Sequence, residues 1–408
     1  MARALFCVNF SAVGGKSRAL RQGCARAMTE IISVQKNRAR DARPYAGPGT
    51  GEDAARHRAS VRNDTAYAPT PLVAMPTEAS RLGLSQLWIK NEGARLLDQG
   101  LGSFKPLGVM GALAHLRSRR APRLERLVCA SDGNFGRAVA WGAARAGVAA
   151  TIFVPSAVSQ GRVAAIESFG AAVVRVAGGY DRAMSGAAEA AAMPGVLEMT
   201  DTGYGDVVEI PMAIQTAYGV IAEEVLEALD PDAAPPTHVF VPTGVGGLVA
   251  GLVAGFDDLL GPSAPAVISV QPRITASLVA SLVDGAFRGM PEVAGGMSDP
   301  PTIMVGLACE TPSTTAWPVL RARLAHAVAL RDDATVRAMR RLAAPIDGAP
   351  IRAGESGAAG YGALLAAAED AEAWAHLDLG PESRVLVILT EAATDAAIYD
   401  RIMSAPAS

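Results

Sequence analysis

The sequence predicts an α/β protein built on mostly parallel sheets that helices cover on both faces. Half of the 408 residues are hydrophobic and only 19% are charged, so the chain can bury a large core and is not disordered as a whole. From Pro71 onward, short apolar runs alternate with stretches of helical pattern. These runs are continuously apolar, which is typical of parallel strands that are buried on both faces.

The elements follow one another in a regular order. We expect strands at 126–131, 150–155, 171–176, 238–243, 267–272 and 384–390, and helices at about 135–146, 159–169 and 180–192. In such sheets, ligands bind beyond the carboxyl ends of the strands. Motifs at those ends are therefore the first candidates for a functional site.

Composition excludes several classes of protein. A net charge of −3 without a basic block sets nucleic-acid binding aside. No apolar run of about 18 residues lacks charges or frequent Gly and Pro, so we predict no membrane span. The cysteines form no C-x-x-C pair, which argues against a disulfide scaffold or structural zinc. We expect no metal site, a reducing cytoplasmic location, and core roles for Cys129 and Cys309.

Residues 1–60 differ from the rest of the chain. The first 29 residues contain five basic side chains and no acidic one, as in a transit peptide, but the apolar region and cleavage site of a secretory signal are missing. The alternative is a mobile extension or an upstream start codon. The segment V-G-G-K-S (13–17) is not a phosphate-binding loop, because Phe10 stands where that motif needs glycine. Residues 46–51 are rich in Gly and Pro and predict a linker.

Lys105 stands in an apolar segment, G-L-G-S-F-K-P-L-G, at 100–108. Apolar surroundings favour the neutral amine, which is the form that attacks carbonyl groups in Schiff-base chemistry. The alternative is a lysine at a helix end whose ammonium reaches solvent. The local sequence leaves both interpretations open.

Small residues follow several of the predicted strands. In S-D-G-N-F-G (131–136), Asp132 and Asn134 either point into a site or cap the next helix. The segment T-G-V-G-G (243–247) can bind a phosphate through its backbone N–H groups and the following helix. It is not a dinucleotide fingerprint, because the third glycine would fall at Val249. The segments G-E-S-G (354–357) and L-T-E-A-A-T-D (389–395) are uninformative when taken singly.

Together these segments resemble the fold-type II family of pyridoxal-phosphate enzymes, and within it the diaminopropionate ammonia-lyases. The resemblance extends over about residues 66–400. It also includes A-Y-A-P-T-P-L (66–72), W-I-K-N-E (88–92), M-T-D-T-G-Y (199–204) and M-V-G-L-A-C (304–309). It implies a homodimer with two domains, a larger one over 61–117 and 212–408 that binds the cofactor and a smaller α/β one over 118–211.

The resemblance implies how the cofactor is held. Lys105 would carry pyridoxal 5′-phosphate as an internal aldimine, and Asn134 would lie near the ring hydroxyl. The phosphate would bind to Gly244, Val245, Gly246 and Gly247. Thr390 would contact the pyridine nitrogen, where a neutral hydroxyl makes the ring a weaker electron sink than a carboxylate would.

The resemblance also implies a catalytic set of Lys105, Asp132 and Asp201. Lys105 would take the Cα proton from one face of the substrate and Asp132 from the other, so that both enantiomers react. Asp201 would grip the β-amino group; the alternative for Asp201 is an ordinary turn aspartate. Elimination through aminoacrylate would give pyruvate and ammonia.

Other functions stay open at this stage. The chain departs from the family pattern at Phe135, at Gly203 and Tyr204 beside Asp201, and at 392–393, where Ala-Ala replaces Gly-Asp. The pocket could therefore serve a dehydratase, a desulfhydrase or a β-replacement synthase acting on another β-substituted alanine. A non-catalytic amino-acid-binding relative is the remaining alternative, although such a protein has no need of an imine-forming lysine.

Overall fold

The structure, a computed structural model, describes residues 31–41, 43, 45–119, 124–131, 133–289, 302–309 and 311–405. Their strands are β1 (Ile31–Lys36), β2 (Leu72–Ala74), β3 (Gln86–Asn91), β4 (Arg126–Ala130), β5 (Ala149–Pro155), β6 (Ala172–Val176), β7 (Val196–Glu198), β8 (His238–Pro242), β9 (Ala266–Pro272), β10 (His326–Leu330) and β11 (Arg384–Leu389).

The helices of these residues connect and cover the strands. They are α1 (Gly51–Arg62), α2 (Pro76–Leu82), α3 (Lys105–Ser118), α4 (Asn134–Ala146), α5 (Gln160–Glu167), α6 (Tyr180–Ala191), α7 (Glu209–Tyr218), α8 (Val220–Ala228), α9 (Gly247–Leu260), α10 (Ser277–Asp284), α11 (Trp317–Arg323), α12 (Asp332–Leu342), α13 (Ala359–Ala368), α14 (Ala371–His376) and α15 (Ala396–Ser404).

The strands form two sheets. The larger has the order β1-β10-β9-β8-β11-β3-β2, and its five inner strands are parallel, whereas both edge strands are antiparallel to their neighbours. The smaller has the order β6-β5-β4-β7 and is parallel throughout. The predicted α/β class with mostly parallel sheets is confirmed.

The sequence located the apolar strands well and missed the others. All six predicted strands and all three predicted helices are present, with ends that differ by one or two residues. The strands β1, β2, β3, β7 and β10 were not predicted.

The two faces of the larger sheet pack into different cores. Successive side chains of a strand point to opposite faces. In β11, Leu386 and Ile388 join a core with α3, α7 and α9, whereas Val385, Val387 and Leu389 join a core with α12 and α13. Burial on both faces explains why this strand is continuously apolar.

The expected extension over residues 1–60 is wrong for residues 31–60, and residues 1–30 lie outside the described part of the chain. Ile31–Lys36 pairs with β10 as an edge strand, and the segment after the expected linker forms α1. Arg58, which is 2% exposed, joins α1 to Glu223 and Asp258 by ion pairs with N–O distances of 2.6 and 2.7 Å. The prediction failed there because the basic composition of residues 1–29 was taken to extend to residues that belong to the fold.

The smaller sheet uses residues 126–198, and the larger uses the segments on either side. The domain boundaries near 118 and 211 stay a prediction, because the sheets locate strands rather than boundaries. Among the described residues, no helix combines the length and the apolar character that crossing a membrane requires.

Candidate active site

Lys105 lies where the first turn of α3 meets the carboxyl end of β11. The backbone N–H of Phe104 donates to the Thr390 carbonyl at 3.2 Å, and Ala392 donates to Gly102 at 2.9 Å. Ser103 and Glu391 form an antiparallel bridge between the same two segments. The lysine therefore occupies the edge of the sheet at which ligands are expected.

The Lys105 side chain is partly buried and contacts one carboxylate and two aromatic rings. Its Nζ donates to the Asp201 carboxylate and lies 4.9 and 5.4 Å from the ring centroids of Phe104 and Phe135. The side chains of Lys105 and Asp201 are 23% and 13% exposed. The structure thus brings together two predicted residues that stand 96 positions apart in the chain.

Asp201 belongs to a loop after β7 that is fixed to the rest of the site. Gly203 N–H donates to Ser313 Oγ at 2.7 Å, and Ser313 N–H donates to the Val245 carbonyl at 2.8 Å. A Cβ at Gly203 would lie 2.7 Å from Thr315, so only glycine allows this approach. The Asp201 loop is in this way tied to the glycine loop at 244–247.

The residues Gly244, Val245, Gly246 and Gly247 connect β8 with α9. Gly246 has a φ of 98°, and a Cβ there would lie 2.8 Å from Leu320. The first N–H groups of α9 have no acceptor within the helix, and the helix dipole favours an anion beside them. The predicted binding of a phosphate by this loop stays a prediction.

Asn134 begins α4, and both ends of its carboxamide form hydrogen bonds. Its Nδ2 donates to Glu391, while its Oδ1 accepts from Arg137 Nη2 at 2.6 Å and from Thr394 Oγ1 at 3.3 Å. Ser131 Oγ accepts two N–H groups of the same turn and shapes it. Asp132 lies outside the described residues, so its predicted role stays a prediction.

Thr390 follows the last residue of β11 and is 3% exposed. Its carbonyl accepts from the Phe104 N–H at 3.2 Å, which places the residue beside the segment that carries Lys105. The predicted contact of Thr390 with the pyridine nitrogen stays a prediction.

Glu391 is a site residue that sequence reasoning missed. Burial and the nearby charge of Glu355 raise its pKa to about 7, and Arg162 opposes this shift. Burial also raises the pKa of Glu355, whose carboxylate pairs with Arg162 Nη2 at 3.2 Å. The sequence signal for Glu391 is its position directly after Thr390, where the predicted strand 384–390 ends.

Glu198 and Tyr204 border the Asp201 loop. The Tyr204 hydroxyl donates to Glu198 at 2.5 Å, and burial raises the pKa of both groups. Tyr204, one of the departures from the family pattern, is therefore held in place by an acid at the end of β7.

The cysteines and potential metal ligands add no further site. Cys129 is buried as predicted, and burial together with the charge of Asp201 raises its pKa well above the usual value. The prediction of a core role is wrong for Cys309, which is partly exposed and lies against Gly244. Neither cysteine forms a disulfide bond within the described ranges, and no cluster suited to a metal occurs there.

Comparison with known proteins shows what this chain is similar to. The family model "Pyridoxal-phosphate dependent enzyme" matches residues 64–391. Diaminopropionate ammonia-lyases of Escherichia coli (strain K12) and Salmonella typhimurium (strain LT2) are each 31% identical, over 83% of this chain and 87% and 88% of theirs. A crystal structure of the Escherichia coli protein, in complex with an aminoacrylate-PLP azomethine reaction intermediate, aligns with a TM-score of 0.81 and 29% identity over 91% of this chain and 96% of that one.

Proposed function

Because this chain belongs to the family of pyridoxal-phosphate-dependent enzymes, we propose that it converts 2,3-diaminopropionate and water into pyruvate and two molecules of ammonia. Diaminopropionate ammonia-lyases are among its relatives at 31% identity. It is thus an ammonia-lyase that breaks a carbon–nitrogen bond.

The residues present fit the cofactor. Lys105 supplies an amine, and the loop 244–247 supplies N–H groups for a phosphate at a glycine, Gly246, where a Cβ would lie 2.8 Å from Leu320. Asn134 begins α4 and donates to Glu391, the residue after Thr390. When bound, pyridoxal phosphate supplies an electron-withdrawing ring that delocalises the electron pair left as the Cα–H bond breaks.

We assign the proton transfers to the side chains around the lysine. Lys105 Nζ takes the Cα proton of one enantiomer, and Asp132 takes that of the other from the opposite face. The Asp201 carboxylate accepts hydrogen bonds from the β-ammonium group and orients it as it departs. A positioned base of suitable pKa supplies about 10²–10⁴-fold of the rate.

The observation that carries the substrate assignment is the contact between the Asp201 carboxylate and Lys105. A substrate with two amino groups brings a second positive charge to this position, and a carboxylate pairs with it. A β-hydroxyl or β-thiol substrate brings no such charge. The Asp201 carboxylate therefore favours diaminopropionate as substrate over serine or cysteine.

The deciding experiment follows the visible absorbance of the purified protein with D- and L-diaminopropionate, while pyruvate and ammonia are assayed in the same cuvette. The proposal expects a cofactor band that changes as pyruvate and ammonia appear in a ratio of 1:2. A band without pyruvate redirects the search to other β-substituted alanines, and incorporation of an added nucleophile identifies a β-replacement synthase. No band after addition of pyridoxal phosphate supports a non-catalytic amino-acid-binding protein.

Lys105→Ala tests the assignment of the base. We expect it to remove the cofactor band and to lower pyruvate formation by at least about 10²-fold. Lys36→Ala is the matched control, because the Lys36 side chain is 62% exposed and its ion pair among the described residues is with exposed Asp378. Full activity in Lys105→Ala would overturn the assignment.

Asp201→Asn tests substrate choice. Since it removes the charge that faces the β-ammonium group, kcat/KM should fall about 10–100-fold more for diaminopropionate than for serine. Equal losses for the two substrates would contradict the role given to Asp201.

We further propose that the chain is a homodimer in the cytoplasm, with a larger domain over 61–117 and 212–408 and a smaller one over 118–211. Family resemblance supports the dimer, and the cysteine spacing, which lacks a C-x-x-C pair, supports a reducing compartment. The molar mass of the protein, measured by light scattering as it elutes from a size-exclusion column, tests the dimer.

A further inference from the structure

The segment G-E-S-G at 354–357 has no part in the reaction proposed above, yet it closes tightly over Glu391. A Cβ at Gly354 would lie 2.6 Å from the Ala392 carbonyl, and one at Gly357 would lie 2.5 Å from the Glu391 carbonyl. The Gly354 N–H donates to that carbonyl of Glu391 at 3.1 Å. The two glycines therefore allow a backbone contact that any larger residue would block.

The Glu391 carboxylate uses both of its oxygens. Oε1 accepts from the Ser356 N–H at 3.2 Å, and Oε2 accepts from Asn134 Nδ2. The other end of the Asn134 carboxamide accepts from Arg137 at 2.6 Å. A reversed amide would place its NH₂ against Arg137 and its oxygen against the carboxylate, so these two residues fix one orientation.

We propose that Glu391 is a positioning residue, which sets the direction in which the Asn134 carboxamide donates a hydrogen bond to the ring hydroxyl of pyridoxal phosphate. This inference rests on the cofactor-binding role proposed for Asn134. One Nδ2 hydrogen is committed to Glu391, which leaves the other for the cofactor. The G-E-S-G loop, in turn, holds Glu391 in place.

The charges around Glu391 make its protonation state variable. Glu355 faces it from the loop over 353–357, Arg137 from α4 and Arg162 from α5, while Asp395 lies close to Glu355 and Arg162. Burial and the charge of Glu355 together raise the pKa of Glu391 to about 7. The ionised form accepts both N–H groups, whereas the neutral form turns one acceptor into a donor. Protonation therefore loosens the hold on Asn134.

The test measures the cofactor without substrate, in the wild-type protein and in Glu391→Gln, Asn134→Ala and the double variant. Glutamine places an NH₂ group against either Asn134 or Ser356, so we expect the dissociation constant of pyridoxal phosphate to rise about tenfold. The visible band of the wild type should show a transition near pH 7 that Glu391→Gln lacks. In the Asn134→Ala background, Glu391→Gln should cause no further loss of affinity.

Glu355→Gln serves as the companion variant because Glu355 does not contact Asn134. Removal of its charge should move the spectral transition to lower pH without abolishing the transition. An unchanged dissociation constant in Glu391→Gln, a transition that persists there, or effects that add in the double variant would each overturn the inference. If Glu391→Gln does not fold, the inference is decided by whether the spectral transition moves to lower pH in Glu355→Gln. Failure to release pyruvate from diaminopropionate would refute the proposed substrate and leave these spectra unaffected.

Discussion

A buried charge cluster allows a sharp test of the interactions that stabilise the fold. Glu224 on α8 accepts from Lys90 Nζ, from Arg95 Nη2 at 2.8 Å and from the Thr70 N–H at 3.1 Å. Arg95 also pairs with Glu92 at 2.7 Å. The four charged side chains, two cations and two carboxylates, are at most 2% exposed.

The change to make is Glu224→Gln. It leaves two buried cations with the single carboxylate of Glu92, and breaking a buried ion pair in this way costs about 3–5 kcal/mol of the free energy of unfolding. Burial opposes ionisation of Glu92, yet the charge and hydrogen bonds of Arg95 keep the pKa of Glu92 below its usual value. Glu92 therefore stays ionised and neutralises only one of the two cations.

The assay is thermal unfolding of the cofactor-free protein. For a chain of this length we expect Tm to fall by about 3–6 °C. The double variant Lys90→Met with Glu224→Gln restores charge balance, so it should recover part of the loss. A Tm within about 1 °C of the wild type in Glu224→Gln alone would refute the view that the cluster depends on its charge balance.

Two further predictions concern stability. His326 is 2% exposed with both ring nitrogens lacking hydrogen-bond partners among the described residues, and burial lowers its pKa to about 4. The unfolded chain therefore binds the proton more readily, and the free energy of unfolding should fall as pH drops from about 6.5 to 4. In urea titrations over this pH range, the free energy of unfolding should fall less in His326→Leu than in the wild type. An equal fall in both proteins would contradict this. In Gly251→Ala, the new Cβ would lie 2.2 Å from the Gln215 carbonyl, which should lower the free energy of unfolding by about 1–3 kcal/mol. The control is Gly161→Ala in α5, where the new Cβ meets nothing closer than 4.0 Å and should not destabilise the protein. Equal urea midpoints for the two variants would contradict the packing argument.

Two of the strands that sequence analysis missed contain a titratable residue. β3 carries Lys90 in its interior and β10 begins with His326, so neither is a purely apolar run. Lys90 is tolerated there because Glu224, 134 residues away in the chain, supplies its countercharge. Local pattern predicts strands that are buried by their own apolar character, but not strands whose polar residues are compensated by distant partners.

The same distinction applies to the site. The segments around Lys105 and Asn134 were recognised from local chemistry, because one is a lysine among apolar residues and the other a glycine-rich turn after an apolar strand. Asp201 was named from the family resemblance. Glu391 was missed because its meaning lies in contacts with Asn134, 257 residues away, and with the loop around Ser356. Such pairings depend on how β11 and the smaller sheet meet, and a single sequence does not encode that in any local pattern.

The order of strands in the larger sheet has a consequence for synthesis on the ribosome. The four strands of the smaller sheet emerge together, within residues 126–198, and can associate early. The inner strand β11 pairs with β3, but almost 300 residues separate them, and closing so long a loop is slow. A nascent chain that has not yet reached Arg384 therefore displays Lys105 beside an open gap in the sheet. We expect such chains to depend on chaperones until the last strand arrives and completes the cofactor site.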